Sequence, residues 1–116
     1  MKVLIAEDIE SVRMALRLAV EHLGHEVVGC VTNGREALEQ YESTRPEMVL
    51  MDVRMPHMDG LTATSELAKR DPGARIVIVT ATRTTKAEAH ESGARGYVEK
   101  PFAMSDLADE IHRASR

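Results

Sequence analysis

The sequence predicts an α/β domain built on a parallel sheet covered by helices on both faces, and three observations carry that prediction. Short runs rich in Val, Ile and Met are continuously apolar rather than alternating, as strands buried on both sides are. Stretches with apolar residues at helical spacing separate most of these runs. Turn residues such as Gly24, Asn33, Gly34 and the Asp71, Pro72, Gly73 triplet punctuate the boundaries. Strand-then-helix alternation makes neighbouring strands parallel.

Residues 3–6 form the first strand, and Val12, Leu16, Ala19, Val20 and Leu23 then recur on one helical face until Gly24 stops it. Glu26–Val31 is the second strand, and Ala37, Leu38 and Tyr41 line a second helix that ends before Pro46. Met48–Met51 is the third strand and stops on Asp52. Gly60–Arg70 is the third helix. Residues 75–79 form a fourth strand ending at Thr80, and Tyr97 with Val98 a fifth. Leu107, Ala108, Ile111 and Ala114 stripe the last helix, with Ser105 as its expected N-cap. The segment 82–92 holds no large aliphatic residue, so the fourth helix is expected to be short, polar and weakly anchored.

With 116 residues the chain fits one domain, residues 1–116, able to bury roughly 65% of its unfolded surface. Hydrophobic content of 43%, charged content of 29% and a net charge of -4 exclude a disordered tract and disfavour direct nucleic-acid binding. The single cysteine, Cys30, cannot form an internal disulfide, which points to a reducing compartment. The apolar run between Lys2 and Glu7 is too short for a signal peptide or a membrane span, so the expected location is the cytoplasm, away from membranes.

Parallel strands deliver their C-terminal ends to one rim of the sheet, where open α/β folds bind ligands. Glu7, Asp8, Asp52, Thr80 and Lys100 all stand just past predicted strand ends. Three carboxylates gathered within about 5 Å repel by a few kcal/mol per pair, and one lysine does not neutralise them. A divalent cation resolves the excess, and oxygen donors without histidine or cysteine suit Mg²⁺. An ionised Asp52 beside Mg²⁺ and an ammonium group is equipped to attack a phosphoryl group and form an aspartyl phosphate, with Thr80 donating to a transferred oxygen.

His22 and His25 have a spacing found in metal sites but no evident third ligand, and read as surface residues. Met48, Met51, Met55 and Met58 read as packing rather than as a thioether copper site.

Glu7-Asp8, Asp52 followed by Met55-Pro56 and Asp59-Gly60, Thr80-Ala81 and Lys100-Pro101-Phe102, in this order, closely resemble the receiver domain of two-component response regulators over essentially the whole chain. The resemblance implies a flavodoxin-like, doubly wound sheet of five strands in the order 2-1-3-4-5 flanked by five helices. It implies that Asp52 accepts phosphate from a histidine kinase or histidine phosphotransfer protein, and that Asp8, Asp52 and the Arg54 carbonyl ligate Mg²⁺, with Glu7 acting through a bound water. Lys100 and Thr80 would bind the phosphoryl group, Lys100-Pro101 would be a cis peptide, and Thr80 and Tyr97 would form the switch that informs an effector. Arg54 and Thr82 flank the site and would tune phosphate lifetime, the long Arg54 side chain partly screening the attacking water. Such a domain is a signalling module with autocatalytic phosphotransfer and self-dephosphorylation, not an enzyme of metabolism.

Three other classes compete. A haloacid-dehalogenase-like phosphatase also uses a strand-end aspartate and Mg²⁺, but has an acid where this chain has Arg54. A flavin carrier would hold phosphate in a hydroxyl- and glycine-rich first loop, where this chain has Glu7 and Asp8. The third is a binding module that works without phosphorylation.

Overall fold

A computed structural model describes residues 1–81 and 83–116. Five strands, β1 (Lys2–Ala6), β2 (Glu26–Val31), β3 (Met48–Met51), β4 (Ile76–Thr80) and β5 (Gly96–Glu99), alternate with five helices. The helices are α1 (Glu10–His22), α2 (Gly34–Thr44), α3 (Gly60–Arg70), α4 (Lys86–Ser92) and α5 (Met104–Ala114). All pairings are parallel and the strand order is β2-β1-β3-β4-β5. This is the flavodoxin-like arrangement expected from the sequence.

The period of two along each central strand divides the core into two layers. Leu4 and Ala6, Val49 and Met51, and Ile76 and Ile78 face Ala37, Leu38, Ala63, Leu67 and Ala89 from α2, α3 and α4. Val3 and Ile5, Met48 and Leu50, and Val77 and Val79 face Leu16, Val20, Leu107 and Ile111 from α1 and α5. Each fully buried aliphatic side chain contributes roughly 2 kcal/mol through removal from water, so the sheet is the rigid frame against which its C-terminal rim is fixed. The methionines serve packing as anticipated: Met48 and Met51 are core, while Met55 and Met58 pack against it from the following loop.

Caps set several helix starts. The Asn33 side chain accepts from the Glu36 amide and the Asp59 side chain from the Thr62 amide. Thr85 and Glu88 form a reciprocal capping box on α4. The expected Ser105 cap is a correction: α5 begins one residue before Ser105, and its N-cap is Ala103. The amides of Asp106 and Leu107 both donate to the Ala103 carbonyl, so the backbone turns helical before the serine hydroxyl is in a capping position. α4 has seven residues and Ala89 is its buried side chain, which agrees with the expected short, polar helix. Thr82, expected to flank the site, lies outside the described residues. No helix among the described residues is long and apolar enough to cross a membrane.

Candidate functional site

The register of β1 against β3 pairs Ala6 with Met51, so the next residues, Glu7 and Asp52, leave the sheet side by side. Sheet-like hydrogen bonds continue through both: the Asp52 amide donates to the Ala6 carbonyl and the Glu7 amide to the Val31 carbonyl, each at 2.9 Å. Glu7 is fully buried, Asp52 nearly so, and Asp8 is exposed. One carboxylate oxygen from each of the three lies within 4.8 Å of the others.

Such acids require compensation, since a buried carboxylate without partners is strongly unfavourable. Lys100 supplies it to two of them: its ammonium donates to Glu7 Oε1 and stands 3.6 Å from Asp52 Oδ2. The second oxygen of each accepts a backbone amide, Ile9 N to Glu7 Oε2 at 3.1 Å and Val53 N to Asp52 Oδ1 at 2.8 Å. Both buried acids are thus held from two sides and keep a fixed aim. Lys100 itself is placed by its amide, which donates to the Thr80 carbonyl at 3.0 Å; the bond from Lys100 to Pro101 is cis, as expected.

Behind Asp52 the chain folds back tightly. The Gly60 amide donates to the Val53 carbonyl, and a Cβ built on Gly60 would lie 1.8 Å from the Asp52 carbonyl oxygen. Only a residue without a side chain lets the start of α3 press against the acid loop.

The acids open into a cavity of about 600 Å³ whose walls are Asp8, Asp52, Arg54, Arg83 and Lys100 with Ile9 and Ala81. A neighbouring apolar groove of about 1100 Å³ runs along α1, lined by Val12, Ala15 and Leu18 and closed by Phe102 and Met104; it shares Ala81 and Lys100 with the first cavity. Of the residues singled out in the sequence, Asp8, Asp52, Arg54 and Lys100 line this cavity, and Glu7 is buried against Lys100 beside it. Thr80 is fully buried at the end of β4 and Tyr97 is half-buried on β5; neither lines the cavity. The Tyr97 hydroxyl donates to the Thr84 carbonyl at 2.6 Å, and burial, followed by the charge of Glu99, pushes its pKa up. The Arg83 wall and the two backbone amides were not anticipated. A basic residue three positions past Thr80 was a visible signal for the first, whereas the amides leave no trace in side-chain spacing.

Residues 3–112 match the response regulator receiver domain family. The chain belongs to that family. This receiver domain is 38% identical over 117 residues to the chemotaxis protein CheY of Thermotoga maritima, a match covering 99% of this chain and 98% of that one. It is 43% identical over 115 residues to the transcriptional regulatory protein PdtaR of Mycobacterium tuberculosis, covering 97% of this chain and 56% of the longer protein. Among solved structures, a LuxR-family two-component response regulator from Aurantimonas superposes with a TM-score of 0.92 at 31% identity, covering 98% of this chain and 84% of that one.

A receiver domain is a signalling module of two-component systems, which typically holds Mg²⁺ in an acidic pocket and works with kinases and phosphotransfer proteins. The phosphatase reading and the reading as a binding module that works without phosphorylation are not favoured by this placement. The all-carboxylate donor set Glu7, Asp8 and Asp52 suits a hard ion such as Mg²⁺.

Proposed function

We propose that residues 1–116 form one receiver domain in which Asp52 takes a phosphoryl group from the phosphohistidine of a histidine kinase or histidine phosphotransfer protein. The observation that carries this reading is the lysine-braced pair of buried acids, Glu7 and Asp52, beside the exposed Asp8. In the transfer an Asp52 carboxylate oxygen forms the new P–O bond, the donor's P–N bond breaks, and the departing imidazole takes up a proton. Lys100 stands close enough to follow charge onto the transferred oxygens. Thr80 lies at the same strand ends and would donate its hydroxyl to one of those oxygens after turning toward the cavity. Mg²⁺, held by Asp8, Asp52 and the Arg54 carbonyl with Glu7 acting through water, would neutralise phosphoryl charge.

Self-dephosphorylation reverses the bond at Asp52: water attacks phosphorus, the P–O bond breaks, and inorganic phosphate leaves a free carboxylate. Arg54, in the cavity wall, partly screens that water. Tyr97 is the readout, its hydroxyl holding the Thr84 carbonyl in the unphosphorylated arrangement, and movement of Thr80 shifts that population toward a form recognised by an effector. The apolar groove along α1 seats the phosphodonor protein, because it is continuous with the acidic cavity through Ala81 and Lys100. The domain acts in the cytoplasm and does not itself contact nucleic acid or membrane.

Incubation with acetyl phosphate and Mg²⁺ tests the assignment. Label is expected on Asp52 and lost in Asp52→Asn. Wild-type labelling of Asp52→Asn, or none of the native protein, would instead favour a module that binds partners without phosphorylation.

A further inference from the structure

The loop that carries the exposed Asp8 is held by a guanidinium group that no part of the proposed phosphotransfer uses. Arg13 lies in the first turns of α1, its amide donating to the Ile9 carbonyl at 2.8 Å. Its side chain turns back over the strand end, where Nη1 donates to the Glu7 carbonyl at 2.9 Å and approaches the Asp8 carbonyl at 3.4 Å. Helix α1 opens on Ile9, which provides no side-chain cap. Arg13 therefore ties the loop to the helix by donating to loop carbonyls, at a junction where no N-cap side chain accepts from the first-turn amides as one does at α2, α3 and α4.

Glu7 and Asp52 are fixed by partners on both carboxylate oxygens, as described above. Asp8 differs: its side chain is exposed, so its direction follows from where its backbone is pinned. From this geometry we infer that Arg13 is a positioning residue for Mg²⁺, clamping the Glu7 and Asp8 carbonyls so that the Asp8 carboxylate faces Asp52 before the ion arrives. This rests on the receiver reading of the site. A loop ordered in advance leaves less conformational entropy to be lost on ion binding. Groups that orient metal ligands from behind typically change affinity by about tenfold or more when removed.

The clamp and simple electrostatics predict opposite signs. Arg13 is a cation next to an acidic cluster, so its charge alone opposes a second cation. If charge were its whole role, Arg13→Met would bind Mg²⁺ more tightly and Arg13→Lys would bind as wild type does. The clamp instead predicts weaker binding in both, because neither side chain places a guanidinium donor between the two carbonyls.

The experiment is a Mg²⁺ titration of the full chain at constant ionic strength, followed by amide NMR shifts of residues 52–54, for wild type, Arg13→Met and Arg13→Lys. Affinity is expected to fall about fivefold to tenfold in Arg13→Met, and severalfold in Arg13→Lys, with faster hydrogen exchange at the Asp8 and Ile9 amides. Unchanged or tighter binding in Arg13→Met overturns the clamp. Should Arg13→Met fail to fold by circular dichroism, Arg13→Lys decides: weakened binding supports the proposal and wild-type binding overturns it. A wild-type protein that shows no Mg²⁺ response overturns the reading of the site itself, and the clamp with it.

Discussion

Lys100 and Glu7 form an ion pair inside the protein, between the end of β5 and the end of β1, with the glutamate side chain fully buried and the lysine 12% exposed. The same ammonium faces Asp52 at the end of β3, so one cation joins acids from two different strands. Breaking a buried pair from one side leaves an uncompensated charge and costs about 3–5 kcal/mol.

Lys100→Met is accordingly expected to lose about 3 kcal/mol of stability in urea unfolding without Mg²⁺. Glu7→Gln in the Lys100→Met background should recover part of that loss, because the buried charge disappears with its partner. A double variant no more stable than Lys100→Met would show that the pair is not the origin of the effect.

Two glycine substitutions should differ sharply. Gly60→Ala places a methyl group 1.8 Å from the Asp52 carbonyl oxygen, a backbone atom, and its cost is expected to exceed about 3 kcal/mol or to prevent folding. Gly24 has φ +91 and open space around its Cβ position, so Gly24→Ala meets only backbone strain, about 1 kcal/mol. Urea midpoints of the two variants give the comparison.

Thr85→Ala removes the Thr85 half of the capping box on a seven-residue helix whose buried anchor is Ala89. The cap is worth about 1 kcal/mol, a large fraction of what holds so short an element. Amide hydrogen exchange over residues 86–92 should accelerate severalfold, while β1, β3 and β4 stay protected. Uniform acceleration across the protein would contradict this.

At the opposite end of the sheet, Tyr41 donates to Asp71 Oδ2 at 2.7 Å. Burial first, then the bond to Asp71 and its charge, push the phenol up to about 12. A raised folded-state pKa contributes stability that is complete below the unfolded value of 10.0 and is lost as pH rises through about 12. Asp71 is lowered chiefly by accepting the Tyr41 bond, so its contribution is present above the ordinary carboxylate range and lost as pH falls through its folded value. Ultraviolet titration of phenolate should show Asp71→Asn bringing Tyr41 partway back down, with the burial contribution remaining. No movement would place the whole shift on burial.

The strands were legible because burial on both faces leaves continuous apolar runs, and their common rim followed from parallel pairing alone. That placed Glu7, Asp8, Asp52 and Lys100 in one cluster, as the structure has them. Boundaries governed by backbone hydrogen bonds were harder: Ser105 has the chemistry of a cap, yet Ala103 takes the position because the amides of Asp106 and Leu107 converge on its carbonyl. The Thr85 to Glu88 capping box was written in the sequence, but only alanines accompany it on the apolar side, so the fourth helix was legible as short and polar while its start was not. Arg13 carried no such signal, since a guanidinium that donates to carbonyls has no required side-chain partner at any fixed spacing.

Lys100 belongs to the wall of the acidic cavity and equally to that of the groove beside α1. A molecule settling in either space changes the surroundings of the same residue, and thereby the free energy of filling the other. By linkage that influence has equal size in both directions. A partner that senses the charged state of the acid loop through this side chain must, by the same amount, alter how firmly the loop holds its charge.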